Sequence, residues 1–299
     1  VTQCSLSGLK PSNNSELSVD QWKSVLDQLK KAGTLEITLT GGEPFLYRGF
    51  FDLLDYAGQL KFAVTLFTNG VLIDKKAADI LKKSYIRQVQ ISIYSSESKT
   101  HDSFTGCRGS HKKTVKAFEY LQEMGIRVRA AVMVSSFNYK TLKQTIAWLD
   151  KKKIPFNYDF TLFTNDSKSR NINDLRLPGH IMALLDRLMP RFRNPQEKIK
   201  SCNMCRTQGC ISAKGDLFPC ILFRKSCGNL INQTFKELWN SEKIKIYRDY
   251  KWDMMEICNN CILKNYCFIC PGFNITEGAE WNIPAVEACR TGLARMGIF

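Results

Sequence analysis

Leu35-Glu36-Ile37-Thr38-Leu39-Thr40-Gly41-Gly42-Glu43-Pro44 reads as a short β-branched strand running directly into a glycine turn. Glycines at a strand end let a ligand approach bare backbone, where carbonyls and amides have left the ladder. Glu43 offers a carboxylate to a cationic amine, and Pro44 stiffens the turn. Taken alone, a Gly-Gly-x-Pro turn is also an ordinary structural turn, so its surroundings decide its meaning.

Working outward, helix and strand signals alternate. Ser18-Val19-Asp20-Gln21 resembles a capping box, and Trp22, Val25, Leu26 and Leu29 follow at helical spacing until Gly33. Beyond Pro44 the pattern predicts helices over Phe50 to Leu60, Lys75 to Lys83, Lys112 to Met124 and Lys140 to Lys151. It predicts further strands over Phe62 to Phe67, Val89 to Tyr94, Val128 to Val134 and Phe156 to Leu162. Such alternation implies βαβ units and a parallel α/β sheet, with ligands at the C-terminal ends of the strands. Residues 164–178 read as a polar linker, and Gly179 to Leu188 as a connecting helix. The expected organisation is a core over 1–165, a linker over 166–200 and a cysteine-rich domain over 201–299.

That last domain holds ten of the twelve cysteines. Eight of them, Cys202, Cys205, Cys220, Cys258, Cys261, Cys267, Cys270 and Cys289, make enough ligands for two four-thiolate sites. Thiolates at CxxC spacing converge on one metal because two intervening residues let the chain turn back. A disulfide scaffold fits poorly, since such scaffolds are short and cysteine-dense throughout. Spacing alone leaves both zinc and iron–sulfur open. Cys210 and Cys227 stay unassigned: Cys210 is an alternative ligand to Cys205, and otherwise both behave as small buried hydrophobes. Cys107 reads as a loop residue.

Together these residues resemble the radical S-adenosylmethionine (SAM) enzymes that carry a C-terminal SPASM domain. The resemblance implies a partial (β/α)6 TIM-like barrel, its first strand missing, followed by the auxiliary-cluster domain. Gly41-Gly42-Glu43-Pro44 matches the GGEP motif that binds SAM's methionine amino group. Thr68-Asn69-Gly70 matches a third-strand motif, and Ser92 the fourth-strand position that contacts the SAM ribose. Gly215 to Cys220 reproduces Gly-x4-Cys, and Cys258, Cys261 and Cys267 reproduce CxxCx5C. Cys270 departs from the pattern by following after two residues rather than three. By that pattern one [4Fe–4S] cluster takes Cys202, Cys205, Cys220 and Cys270, and the other Cys258, Cys261, Cys267 and Cys289.

The family binds its SAM-cleaving cluster with CxxxCxxC after the first strand. Cys4, 37 residues before Gly41, sits in the register of the third cysteine, while Val1 occupies the second position. The expectation is a chain shortened at its N-terminus, with that cluster completed upstream. The resemblance implies a 5′-deoxyadenosyl radical acting on a peptide or protein, fed by an electron donor such as flavodoxin or ferredoxin. Ile221 after Pro219-Cys220 departs from the acidic residue of the sulfatase-maturing branch. Tyr158 and Asp159 are expected to face the substrate. Two other readings stand beside this one: a haem or tetrapyrrole-pathway relative, and a non-catalytic scaffold whose SAM cluster is degenerate.

The net charge of +15, from 43 basic and 28 acidic residues, favours an acidic peptide. Nucleic acid is disfavoured, because the basic residues are scattered and no aromatic-basic stacking motif occurs. No apolar run approaches the ~20 residues of a membrane span. The start shows no secretory signal, so a reducing cytoplasm is the expected location.

Overall fold

Period-two burial along Ala63–Thr68, with Val64, Leu66 and Thr68 buried, marks a strand with one covered face. The computed structural model describes residues 16–163, 172–188, 202–251, 254–267 and 270–298. The chain divides into two compact units, Val1–Arg176 and Leu177–Phe299.

In the first unit, β1 (Glu36–Leu39), β2 (Ala63–Thr68), β3 (Ile86–Ser92), β4 (Val128–Met133) and β5 (Phe156–Asp159) form one parallel sheet in chain order. Helix α1 (Val19–Lys31) precedes the sheet. Helices α2 (Phe50–Gln59), α3 (Lys75–Lys83), α4 (Ser98–Thr105), α5 (Ser110–Glu123) and α6 (Leu142–Lys151) lie between successive strands. This is the α/β architecture expected of a partial barrel.

The two faces of the sheet differ. Val64, Leu66, Val89, Ile91, Ala130 and Val132 lie under the helices, which bury Leu54, Leu81, Leu121 and Leu149 completely. Each such leucine contributes about 1.5–3 kcal/mol. The opposite face carries Thr38, Thr65, Gln90, Ser92, Arg129, Asn157 and Asp159 interspersed with Phe67, Ala131 and Met133, a mainly polar surface on which none of these is fully buried. Arg129 Nη1 donates to Asn157 Oδ1 across it at 2.8 Å.

The strands differ from expectation mainly at their ends. β3 begins at Ile86 because Ile86 pairs with Val64 through a register shift at Val64/Thr65. β5 ends at Asp159, where the carboxylate accepts the Thr161 N–H at 2.8 Å and turns the chain out of the ladder. Tyr158 and Asp159 alternate, the tyrosine buried and the aspartate exposed. Adjacent strand residues face opposite sides, so only Asp159 lies on the polar face and the two cannot share one space. Helix α4 was not expected, having no strong apolar period. The Asp102 carboxylate joins it to α5 by accepting from Gly109 N, Ser110 Oγ and His111 N.

The second unit has little regular structure. Helix α7 (Gly179–Leu188) leads to a hairpin of β6 (Cys210–Ile211) and β7 (Leu217–Phe218). Short helices α8 (Phe235–Trp239), α9 (Glu242–Arg248), α10 (Glu256–Asn259) and α11 (Pro271–Thr276) follow, and α12 (Val286–Met296) packs back on α7. No helix among the described residues is long and apolar enough to cross a membrane.

The capping box at α1 forms as expected: Ser18 Oγ accepts from Gln21 N at 3.2 Å, and Gln21 Oε1 accepts from Ser18 N at 2.8 Å. Ser18→Ala removes one of these bonds and will cost about 1 kcal/mol, read as a lower urea midpoint at unchanged slope.

Candidate functional site

The turn after β1 is built by Glu43. Its Oε1 accepts from Thr68 Oγ1 at 2.7 Å and its Oε2 from Asn69 N at 2.8 Å. Oε1 also takes a longer bond from Phe45 N, 3.4 Å. Thr68 Oγ1 in turn accepts Gly70 N at 3.0 Å, Asn69 Oδ1 accepts Val71 N at 2.8 Å, and Thr114 Oγ1 donates to Asn69 O at 3.0 Å. The two strand-end motifs therefore form one locked unit. Glu43 holds the turn in place with its carboxylate, and what it leaves open is backbone. Gly41 adopts φ +152°, which side chains rarely allow, and a Cβ on Gly41 or Gly42 would meet nothing within 4 Å. Pro44 opens a single 3-10 turn behind them. Ser92 ends β3 on the polar face of the same sheet.

Two residues that sequence reasoning passed over stabilise this end of the sheet. Buried Asn138 donates through Nδ2 to Tyr94 O and Met133 O, at 2.7 and 2.9 Å, tying the chain beyond β3 to the end of β4. Thr114, fully buried, anchors Asn69. Each acts across more than forty residues with Tyr94 or Asn69, beyond any local pattern.

In the second unit the thiols fall into two groups. Burial pushes the Cys205 thiol up to about 12, and Cys227, Cys220 and Cys202 repel its charged form further. Burial likewise lifts Cys270 to about 11, with Cys220 and Cys202 as its thiol neighbours. Cys267 is pushed up to about 12 by burial, then by Cys289, Cys258 and Cys261. Cys258 is raised by burial and then by Cys261 and Cys289. Cys202 and Cys220 thus neighbour both Cys205 and Cys270, Cys227 is a further neighbour of Cys205, and Cys258, Cys261, Cys267 and Cys289 neighbour one another. Such thiols keep their protons until a metal displaces them. Among the described residues, no three His, Cys, Asp or Glu side chains converge tightly enough to hold a single ion.

Local structure explains the grouping. The start of α11 packs on the loop after Cys220 so closely that a Cβ on Gly272 would lie 2.7 Å from Leu222 Cβ and 3.0 Å from Phe223 N. Only glycine permits that approach, which brings Cys270 to Cys220. Phe223 N donates to Cys220 Sγ at 3.3 Å and Leu263 N to Cys261 Sγ at 3.4 Å. Cys205 sits at φ +57° in a turn closed by its own N–H to Gln208 O. Arg206 donates to the carbonyls of Arg248 and Tyr250 at 2.8 and 3.0 Å, while Arg248 donates back to Cys205 O at 2.8 Å. This reciprocal clasp fixes the Cys205 turn, and no spacing rule reveals it.

Of the remaining cysteines, Cys227 is buried beside Cys205, Cys210 is half-buried near Cys220, and Cys107 is exposed in the loop between α4 and α5. Cys4 lies outside the described residues.

Residues 4–149 match the radical SAM superfamily, and residues 202–262 match the SPASM iron–sulfur cluster-binding domain. The chain is 28% identical over 287 residues to the antilisterial bacteriocin subtilosin biosynthesis protein AlbA of Bacillus subtilis (strain 168). That match covers 89% of this chain and 64% of the relative, so the chain spans under two thirds of that protein's length. It is 23% identical over 290 residues to the AdoMet-dependent heme synthase of Methanosarcina barkeri (strain Fusaro / DSM 804), covering 86% of this chain and 82% of that one. Among solved structures, native anSMEcpe with bound AdoMet and Cp18Cys peptide superposes with a TM-score of 0.69, covering 94% of this chain and 89% of that one. At 17% identity, that likeness is one of fold.

The Glu43 lock predicts a pH dependence. Burial raises the Glu43 carboxyl above 4.5 despite the bonds it accepts from Asn69, Thr68 and Phe45. A raised carboxyl favours the folded state most when protonated, so its contribution is present at low pH and is lost as pH climbs from 4.5 through the raised value. Glu43→Gln lacks this titration. Denaturation at a series of pH values will show the variant gaining on the wild type as pH rises across that window.

Proposed function

Because the chain belongs to the radical SAM superfamily and carries an SPASM iron–sulfur domain, we propose that it modifies a peptide or small protein using SAM and two auxiliary [4Fe–4S] clusters. The observation that carries this reading is the sorting of eight thiols into two quartets. The interleaved order is supported by the thiol neighbours of Cys270, which are Cys220 and Cys202.

The residues present fit the cofactors. Cys202, Cys205, Cys220 and Cys270 would hold one cluster, and Cys258, Cys261, Cys267 and Cys289 the other. The open backbone at Gly41 and Gly42, held by Glu43 and stiffened by Pro44, would receive the SAM amino group, and Thr68 and Asn69 keep that turn in register. Ser92 would meet the ribose. Cys4 would be one ligand of the SAM-binding cluster. When bound, these cofactors supply one-electron hydrogen-abstraction chemistry, while the protein binds, orients and excludes water.

A peptide substrate is supported by the relatives, one a bacteriocin biosynthesis protein and one solved with a peptide bound. The polar sheet face and the charge of +15 suit an acidic one. An electron donor of the flavodoxin or ferredoxin kind completes the reading. The heme synthase match favours a second reading, since it spans 82% of that relative; a porphyrin co-purifying with the protein would select it.

Anaerobic reconstitution followed by iron and sulfide analysis tests the proposal. Each auxiliary cluster contributes about four irons. Cys205→Ser will remove one such set and Cys267→Ser the other, while each variant keeps its partner cluster's absorbance. Stoichiometric zinc, or thiols paired with one another, would overturn the assignment.

A further inference from the structure

Tyr250 lies just past the end of α9, with only 1% of its surface exposed, and it is among the largest fully buried side chains of the molecule. Its ring packs edge-on against Trp281, centroids 5.5 Å apart. Its hydroxyl finds no hydrogen-bond partner among the described residues. A phenol buried without an acceptor costs about 1–3 kcal/mol, and phenylalanine would fill the same space without that cost. The hydroxyl therefore calls for an acceptor that the described residues do not supply.

The surroundings identify that acceptor. Burial pushes the phenol well above its ordinary pKa, and the thiols of Cys202, Cys270 and Cys258 add to the push. Two of these belong to the first quartet and one to the second, and the Tyr250 backbone is bonded to the residue that follows Cys205. The arginine clasp holds it there, because Arg206 Nη2 donates to the Tyr250 carbonyl while Arg206 Nε and Arg248 bind the Cys205 turn to the same segment. Cluster sulfides and ligating thiolates are the hydrogen-bond acceptors that such a site would hold.

Building on the auxiliary-cluster reading above, we infer that Tyr250 donates its hydroxyl hydrogen bond to a sulfur of the cluster held by Cys202, Cys205, Cys220 and Cys270, and so raises that cluster's reduction potential. A donor to cluster sulfur stabilises the more negatively charged, reduced state, and such bonds are among the factors that set iron–sulfur potentials. Tyr250 thereby tunes the first cluster.

The test is an EPR-monitored redox titration of the reconstituted full chain, with iron counted on each sample. Tyr250→Phe will lower one auxiliary potential and leave the other in place. Placing 3-fluorotyrosine at position 250 keeps the hydroxyl, makes it a stronger donor, and will move the same potential upward. Should the phenylalanine variant lose iron, the fluorinated variant still decides the sign. Full iron with unmoved potentials in both variants would overturn the role of Tyr250 alone, leaving an ordered water as the acceptor. A wild-type protein that takes up no iron would overturn this inference together with the cluster assignment.

Discussion

The placing of eight buried or half-buried thiols among very short elements is the constraint that marks the second unit. Its strands have two residues each, and the four helices between hairpin and α12 have four to seven. Helices of this length do not sustain themselves in water, because one turn does not recover the cost of nucleation. Helices α8 and α9 are held by buried Phe235, Leu238, Ile244 and Tyr247. The other two lie beside sulfur: Cys270 is the residue before α11 and Cys258 sits in α10, while Cys289 lies in α12.

The first unit works by the opposite logic. Its core is apolar and continuous, with Leu54, Val64, Leu66, Val89 and Ile91 wholly buried, so its fold needs no cofactor. What it offers a ligand is the set of loops beyond the strand ends, held by side chains that act as braces. Glu43, Thr68, Thr114 and Asn138 spend their bonding capacity on backbone and on one another. The polar row beside them lies on the sheet face opposite the one the helices cover.

Much of this could be read in advance, and the reasons are physical. Five strands were legible because β-branched runs alternate with amphipathic helices, and α3 and α7 match their predicted limits residue for residue. The cysteine-rich domain was legible from CxxC spacing, which is local, whereas the division of its thiols into two sets came from the family pattern. Strand ends were less so: β5 stops where the Asp159 side chain captures Thr161, a choice that hydrophobicity does not encode. Tyr158 was expected beside Asp159 at the substrate, yet strand alternation sends it to the helix side. The Arg206–Arg248 clasp and the Tyr250 hydroxyl were invisible, since their partners are distant in sequence or belong to no motif.

That clasp has an entropic consequence. Its bonds join positions 42 to 44 residues apart without using a single thiol. Closing a loop of that length costs on the order of 3 kcal/mol in chain freedom. Here arginine and carbonyl close that loop without drawing on sulfur, so the Cys205 turn is tethered to the segment just past α9 by the polypeptide itself.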